Sequence, residues 1–154
     1  MRTLRMLAFA LLAISALVPA VWAADSPRPE TRPVDPDYEN GKKALQSHDW
    51  KLAIENFNRV AVREPANADV QNELGYAWRK SGNLDLAFKH YNEALRLNPK
   101  HKGAHEYIGE AYLMAGDLPK AEEHLAALDK ICVFSCEEFR DLKKAIEEYK
   151  QKKQ

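Results

Sequence analysis

The chain has 154 residues, with 23 Lys or Arg against 23 Asp or Glu. The charges therefore balance, and the basic residues form no stripe or cluster that would release counterions from nucleic-acid phosphates. This argues against nucleic acid as a partner.

The first predicted element is a secretory signal peptide. Arg2 and Arg5 precede an apolar run over residues 6–18, and Val21 and Ala23 are the small residues that a signal peptidase requires. We expect cleavage after Ala23 rather than a stable membrane anchor, because the apolar run is too short to span a bilayer. Cleavage removes two of the 23 basic residues and none of the acidic ones, which leaves a formal charge of −2.

Residues 24–37 are predicted to form a linker. Four prolines among charged residues disfavour a helix and leave nothing to bury: Pro27, Pro29, Pro33 and Pro36. The rest of the chain, about 115 residues, is long enough for one compact domain with its own core.

From Tyr38 onward the pattern predicts an all-α domain, because apolar residues recur at helical spacing and no segment alternates with a period of two. The pattern also repeats every 34 residues, which indicates a stack of like units. Each unit breaks near its middle, at 48–49, 82–83 and 116–117, and is therefore a helical hairpin. The repeating positions are Gly41, Gly75 and Gly109; Ala53, Ala87 and Ala121; and Phe57, Tyr91 and Leu125.

These positions resemble the signature of the tetratricopeptide repeat. The resemblance implies a right-handed superhelical stack of three hairpins, over about residues 34–67, 68–101 and 102–134. Its aromatic position is occupied by Ala44, Trp78 and Tyr112, and Pro65 and Pro99 close the first two units. The first unit departs from the pattern at Asn40, and the third has Val133 in place of the closing proline.

Residues 135–154 are predicted to form a capping helix and a tail. One face of this segment is apolar and the opposite face is charged, as expected for a helix that covers the end of a stack. Ser135 and Glu138 have the spacing of a capping box. The apolar face consists of Phe139, Leu142, Ala145, Ile146 and Tyr149.

Cys132 and Cys136 flank the predicted turn before the capping helix. In an exported protein, two nearby cysteines favour a disulfide, which here would fix the angle of the cap. The alternative is a thiol-redox or copper-handling role, because a thiol at a helix N-terminus has a lowered pKa. The Cys-x-x-x-Cys spacing, and nothing else, is similar to that of the copper chaperones of cytochrome oxidase assembly.

No motif for catalysis or cofactor binding is found, so we predict neither an enzyme nor a cofactor or metal. His101, in a loop between units, and His105 are interpreted as solvated side chains. The remaining histidines stand singly in polar surroundings and need no special role: His48, His90 and His124.

The predicted binding site follows from the resemblance, which implies that the first helix of each unit lines a concave groove. Such a groove would bind a protein or peptide partner, with Lys42 and Arg79 available to a carboxylate. The family's carboxylate clamp is incomplete because the third unit offers acidic residues, and a solvated face without a partner is the alternative. The predicted groove residues are Tyr38, Lys42, Leu45, Asn72, Tyr76, Arg79, Glu106, Glu110 and Leu113.

The layout is similar to that of short exported tetratricopeptide proteins of Gram-negative bacteria, which implies a periplasmic adaptor or scaffold. Weak self-association is a further hypothesis. It would use the exposed flank of the first unit, where Tyr38 and Leu45 lie.

Overall fold

The computed structural model describes residues 35–153, so the predicted signal peptide and most of the predicted linker lie outside the described residues. Within this range the all-α prediction is confirmed. Among the described residues, no helix is both long enough and apolar enough to cross a membrane. The helices are α1 (Pro36–Gln46), α2 (Trp50–Arg63), α3 (Ala68–Lys80), α4 (Leu84–Leu97), α5 (Lys102–Met114), α6 (Leu118–Ile131) and α7 (Glu137–Lys152).

Helix α1 begins at Pro36, inside the stretch that was predicted to be linker. That prediction overlooked Asp35, whose carboxylate accepts the Asp37 N–H at 2.8 Å and so caps the helix. Proline is tolerated in the first turn because its missing N–H has no intrahelical partner there. Arg63 of α2 also holds this end by donating three hydrogen bonds to the Asp35 carboxylate.

The turns of the three hairpins have the same local structure. The second helix of each hairpin is capped by a side-chain oxygen of Asp49, Asn83 or Asp117, which accepts a backbone N–H three residues ahead at 3.0–3.1 Å. The residue before each cap has a positive φ, which Gly82 and Gly116 adopt without strain. In the first hairpin His48 adopts it instead, at φ 60°.

Glycines lie where the two helices of a hairpin approach most closely. A Cβ at Gly41 would stand 2.7 Å from the Phe57 ring, and one at Gly75 would stand 2.5 Å from the Tyr91 ring. Gly109 differs, because its nearest neighbour, at 2.7 Å, is Leu142 of α7. The third hairpin is therefore completed by the capping helix.

Replacing Gly75 with alanine is expected to lower the free energy of unfolding by about 1–2 kcal/mol. The clash with Tyr91 costs about 1–3 kcal/mol, and the better helix propensity of alanine returns up to about 1 kcal/mol. Urea unfolding measures the change. The matched control is Gly103→Ala, where the nearest atom would lie at an ordinary 3.5 Å. Equal loss in both variants would contradict the close-approach explanation.

Helix α7 covers the end of the stack, as the predicted cap should, with Leu142 and Ile146 buried against Ala121 and Leu128. The predicted capping box is wrong. Helix α7 is preceded by Cys136, which makes no side-chain capping bond. The start of α7 is fixed instead by the disulfide at that position, which leaves Ser135 outside the helix.

Candidate functional site: a tyrosine-lined groove

The first helices of the three hairpins contribute to one surface. A pocket of about 320 Å³ is formed where α1, α3 and α5 meet, so the three helices share a face, and its lining includes Lys42, Leu45 and Tyr76 of the predicted groove residues. We call this face the groove. Its aromatic wall is Tyr76 and Tyr107, whose ring centroids lie 5.1 Å apart. The pocket is lined by Lys42, Leu45, Gln46, His48, Glu73, Tyr76 and Tyr107.

Arg79 lies beneath the groove wall and is 5% exposed. Its Nη1 contacts Glu110 Oε2 at 2.6 Å, and its Nε donates to the Tyr91 hydroxyl at 3.2 Å. The guanidinium also lies 5.3 Å and 5.5 Å from the ring centroids of Tyr76 and Tyr107. The sequence-based idea that Arg79 takes a partner's carboxylate is therefore wrong, because the side chain is already enclosed by partners.

Lys42 is also engaged. Its Nζ lies 2.6 Å from Glu73 Oε1, in an ion pair between α1 and α3. A partner's carboxylate would have to compete with Glu73 for this ammonium group. The groove therefore offers no preformed cationic site at either of the two predicted positions.

The far end of the groove is acidic. Burial raises the pKa of Glu106 to about 8, and the nearby carboxylates of Glu110, Asp141 and Glu138 add to the shift. Glu106 therefore retains its proton in most molecules at neutral pH. It borders a hollow of about 350 Å³ between α5 and α7, lined by Glu106, Glu110, Asp141, Lys144, Ala145 and Glu148.

The other predicted groove residues are less accessible. Tyr38 packs edge to face on Phe57, with the ring centroids 5.6 Å apart. Asn72 is buried, and within residues 35–153 its Oδ1 has no hydrogen-bond partner. Leu113 packs toward the core beneath α6 and α7. Leu45 is buried, so it is not part of an exposed flank as the self-association hypothesis required.

Sequence analysis missed Glu73, Tyr107 and the α7 residues of the acidic hollow. Glu73 and Tyr107 each adjoin a predicted groove residue, so a wider stripe on each helix would have included them. The contribution of α7 had no signal of its own, because its exposed charges are typical of any capping helix.

Two histidines that were expected to be solvated are largely enclosed. His101 caps α5 by accepting the Ala104 N–H at 3.1 Å, and its Nε2 lies 3.0 Å from Asp69 Oδ1. His105 is buried and joins α5 to α6, with its Nδ1 3.0 Å from the Nδ1 of His124. His124 therefore does not stand alone, and the solvated interpretation of His101 and His105 was wrong.

His124 makes a contribution to the free energy of unfolding that should be lost on mild acidification. Burial, together with His105 and Lys120, lowers the pKa of His124 to about 4. The unfolded chain therefore binds more protons than the folded one between pH 6.5 and pH 4, and stability is lost as the pH falls through that window. With solvent screening, we expect the contribution of His124 to the free energy of unfolding to fall by about 1 kcal/mol between pH 7 and pH 5.

Unfolding by urea at several pH values measures this effect as a difference between the wild type and His124→Asn. The subtraction is needed because the raised pKa of Glu106 acts with the opposite sign: its contribution is lost as the pH rises toward 8. His48→Asn, at an exposed position, is the control and should keep the wild-type pH dependence. An unchanged pH dependence in His124→Asn would contradict the assignment.

Cys132 and Cys136 are joined by a disulfide that spans the turn between α6 and α7. Their Cα atoms lie 5.7 Å apart, within the usual bridging range. Cys132 follows the last residue of α6 and Cys136 precedes the first residue of α7, as the sequence predicted. The thiol-redox or copper-handling alternative stays a prediction, which thiol titration of protein taken directly from its compartment would check.

Comparison with known proteins settles the family. Two family models, both described as tetratricopeptide repeat, match residues 38–101 and 79–146 and so together span most of the chain. The chain belongs to the tetratricopeptide repeat family. Over 68 residues, this tetratricopeptide repeat protein is 37% identical to the outer membrane protein assembly factor BamD of Vibrio cholerae. That match covers 42% of the chain and only 28% of BamD.

Solved structures agree on the tetratricopeptide fold. The TPR2B domain of yeast Sti1, in its complex with pHsp70, superimposes with a TM-score of 0.69 at 19% identity, covering 75% of this chain and 94% of that one. The Yersinia enterocolitica type III secretion chaperone SycD, in complex with a peptide of the translocator YopD, gives 0.65 at 22% identity, covering 77% and 92%. At these identities the likeness concerns the fold.

Proposed function

We propose that this protein is a non-catalytic adaptor that binds an extended segment of another protein along the groove. The observation that carries the proposal is the pair of tyrosine rings, Tyr76 and Tyr107, held beside an open pocket by the buried Arg79. A rigid aromatic wall supplies contact area at low entropic cost, because its side chains are already ordered before a ligand arrives.

The charges of the groove favour a segment that carries a basic side chain. Lys42 and Arg79 are already paired with carboxylates, whereas Glu106 is surrounded by other acidic groups. A lysine or arginine placed beside Glu106 would stabilise its charged form and lower its pKa. Such binding would release a proton, so the affinity should rise from pH 6 to pH 8.

The family supports binding rather than catalysis as the activity. The Sti1 domain and SycD were both solved with bound partners, pHsp70 in one case and a YopD peptide in the other.

We propose the bacterial periplasm as the location, on the basis of the signal-like pattern in residues 1–23 and the disulfide. The local similarity to BamD, an outer membrane assembly factor, is consistent with an envelope protein.

Site-specific photo-crosslinking tests the groove. A photoreactive amino acid at Tyr76 should capture a partner in the cell, whereas the same group at Val62, which is 83% exposed on α2 and outside the groove, should not. The captured segment is then synthesised as a peptide and titrated into the purified protein. Equal capture at both positions would contradict the groove proposal.

Substitutions at Tyr76 and Glu106 then measure separately what each side chain contributes to binding. Tyr76→Ala should weaken binding of that peptide at least tenfold, and Glu106→Gln should remove the pH dependence while retaining part of the affinity. Val62→Ala is the matched surface control. If neither groove variant changes the affinity, the segment binds elsewhere on the protein.

A further inference from the structure

The turn between α6 and α7 exposes two apolar side chains at one end of the stack. Val133 and Phe134 are each 89% exposed. The disulfide closes this turn, and Arg140 Nη1 donates to the Ser135 carbonyl oxygen at 2.8 Å. We call residues 132–136 the end loop. Because its backbone is held by these bonds, its two apolar side chains are pre-organised for contact with another surface.

A cleft of about 520 Å³ lies at the other end of the stack, on the outer side of the α1–α2 hairpin. Leu52 contributes an apolar side chain that is 44% exposed, and Ala44 contributes a small one. We call this the first-repeat cleft. Its lining residues are Asn40, Lys43, Ala44, Ser47, Leu52, Asn56 and Arg59.

The cleft exists because the first hairpin lacks an aromatic residue that the others have. Trp78, 34 residues after Ala44, packs against the cores of both the first and the second hairpin. Tyr112, one period later, packs against the cores of the second and the third. This position therefore fills the joint between consecutive units. Ala44 is too small to fill the equivalent place at the outer side of the first unit, so space remains there for an aromatic side chain of another molecule.

Charge favours the same pairing of surfaces. The lining of the first-repeat cleft has two basic side chains, Lys43 and Arg59, and no acidic one. Arg59 is paired with Asp37 at 3.0 Å, so Lys43 supplies the positive charge at the edge of the cleft. The end loop is followed directly by Glu137 and Glu138 in the first turn of α7. Opposite charges at the edges of two apolar surfaces orient the contact and disfavour like-with-like docking.

We propose that the end loop of one molecule docks into the first-repeat cleft of a second copy, with Phe134 in the place that Trp78 and Tyr112 occupy in the other units. The two surfaces differ, so the contact is head to tail and extends into open chains of molecules. It leaves the groove free for its own ligand. The surface involved is small, so we expect a dissociation constant on the order of 0.1–1 mM.

Sedimentation velocity of the purified protein at about 0.02 and 1 mM tests the association. The weight-average mass should rise at least 1.5-fold for the wild type and for the surface control Val62→Ser. Phe134→Ser and Leu52→Glu, both at exposed positions, should each stay monomeric at 1 mM with unchanged circular dichroism. A wild type that stays monomeric at 1 mM would overturn the proposal.

Mixing the two variants separates head-to-tail docking from other kinds of contact. Phe134→Ser keeps an intact cleft and Leu52→Glu keeps an intact end loop, so the mixture should form a heterodimer that does not grow further. Association of Leu52→Glu alone would indicate pairing between two end loops and would overturn the proposal. A mixture that stays monomeric, although the wild type associates, would do the same.

Discussion

Arg79→Ala is expected to lower the free energy of unfolding by about 3 kcal/mol. The substitution removes a buried cation and leaves the Glu110 carboxylate and the Tyr91 hydroxyl without their partner. Breaking a buried ion pair from one side costs about 3–5 kcal/mol, and the partial exposure of Glu110 places this case at the lower end. Urea unfolding of the purified protein measures the change.

Two further variants separate the ion pair from the packing around it. Arg79→Met with Glu110→Gln removes both charges, so the double variant should be more stable than Arg79→Ala. Arg96→Ala is the matched control, because Arg96 pairs with Glu93 on an exposed face and its loss should cause no measurable change. A double variant no more stable than Arg79→Ala would show that packing on the two tyrosines, rather than the uncompensated charge, dominates.

Leu142→Ala should cost about 2–4 kcal/mol, because it removes the side chain that covers Gly109 and leaves a cavity at the end of the stack. The loss should be visible as a lower urea midpoint. It should also increase amide hydrogen exchange in α5 and α6, which α7 covers. Val62→Ala, a truncation at an exposed site, is the control for the chemical change alone. Loss confined to α7 would mean that the third hairpin is stable without its cap.

The fold could be predicted because its signals are local and repeated. The Asp or Asn caps, the glycines at the helix crossings and the 34-residue period each report on residues near them in the chain. The start of α1 was missed because a run of prolines concealed the Asp35 cap. The capping box was misplaced because the disulfide, rather than a serine hydroxyl, fixes the beginning of α7.

The site was less predictable because its properties depend on distant residues. Arg79 looks like an available cation in the sequence, yet it is enclosed by Tyr91 of α4 and Glu110 of α5. Glu106 looks like a solvated acid, yet burial raises its pKa. Glu110 adds to the shift, as do Asp141 and Glu138 of α7, which lie more than thirty residues away in the chain. No periodicity encodes such contacts, and these contacts set the charge of the groove.

The contact between Gly109 and Leu142 has a consequence for synthesis on the ribosome. The first two hairpins each close on an aromatic residue of their own second helix, so each can pack as soon as that helix has emerged. The third hairpin requires Leu142, which α7 supplies after both helices of the hairpin have been made. Because chains emerge N-terminus first, we expect this hairpin to stay incompletely packed until α7 has emerged. During that interval the apolar face of the third hairpin is open to a chaperone.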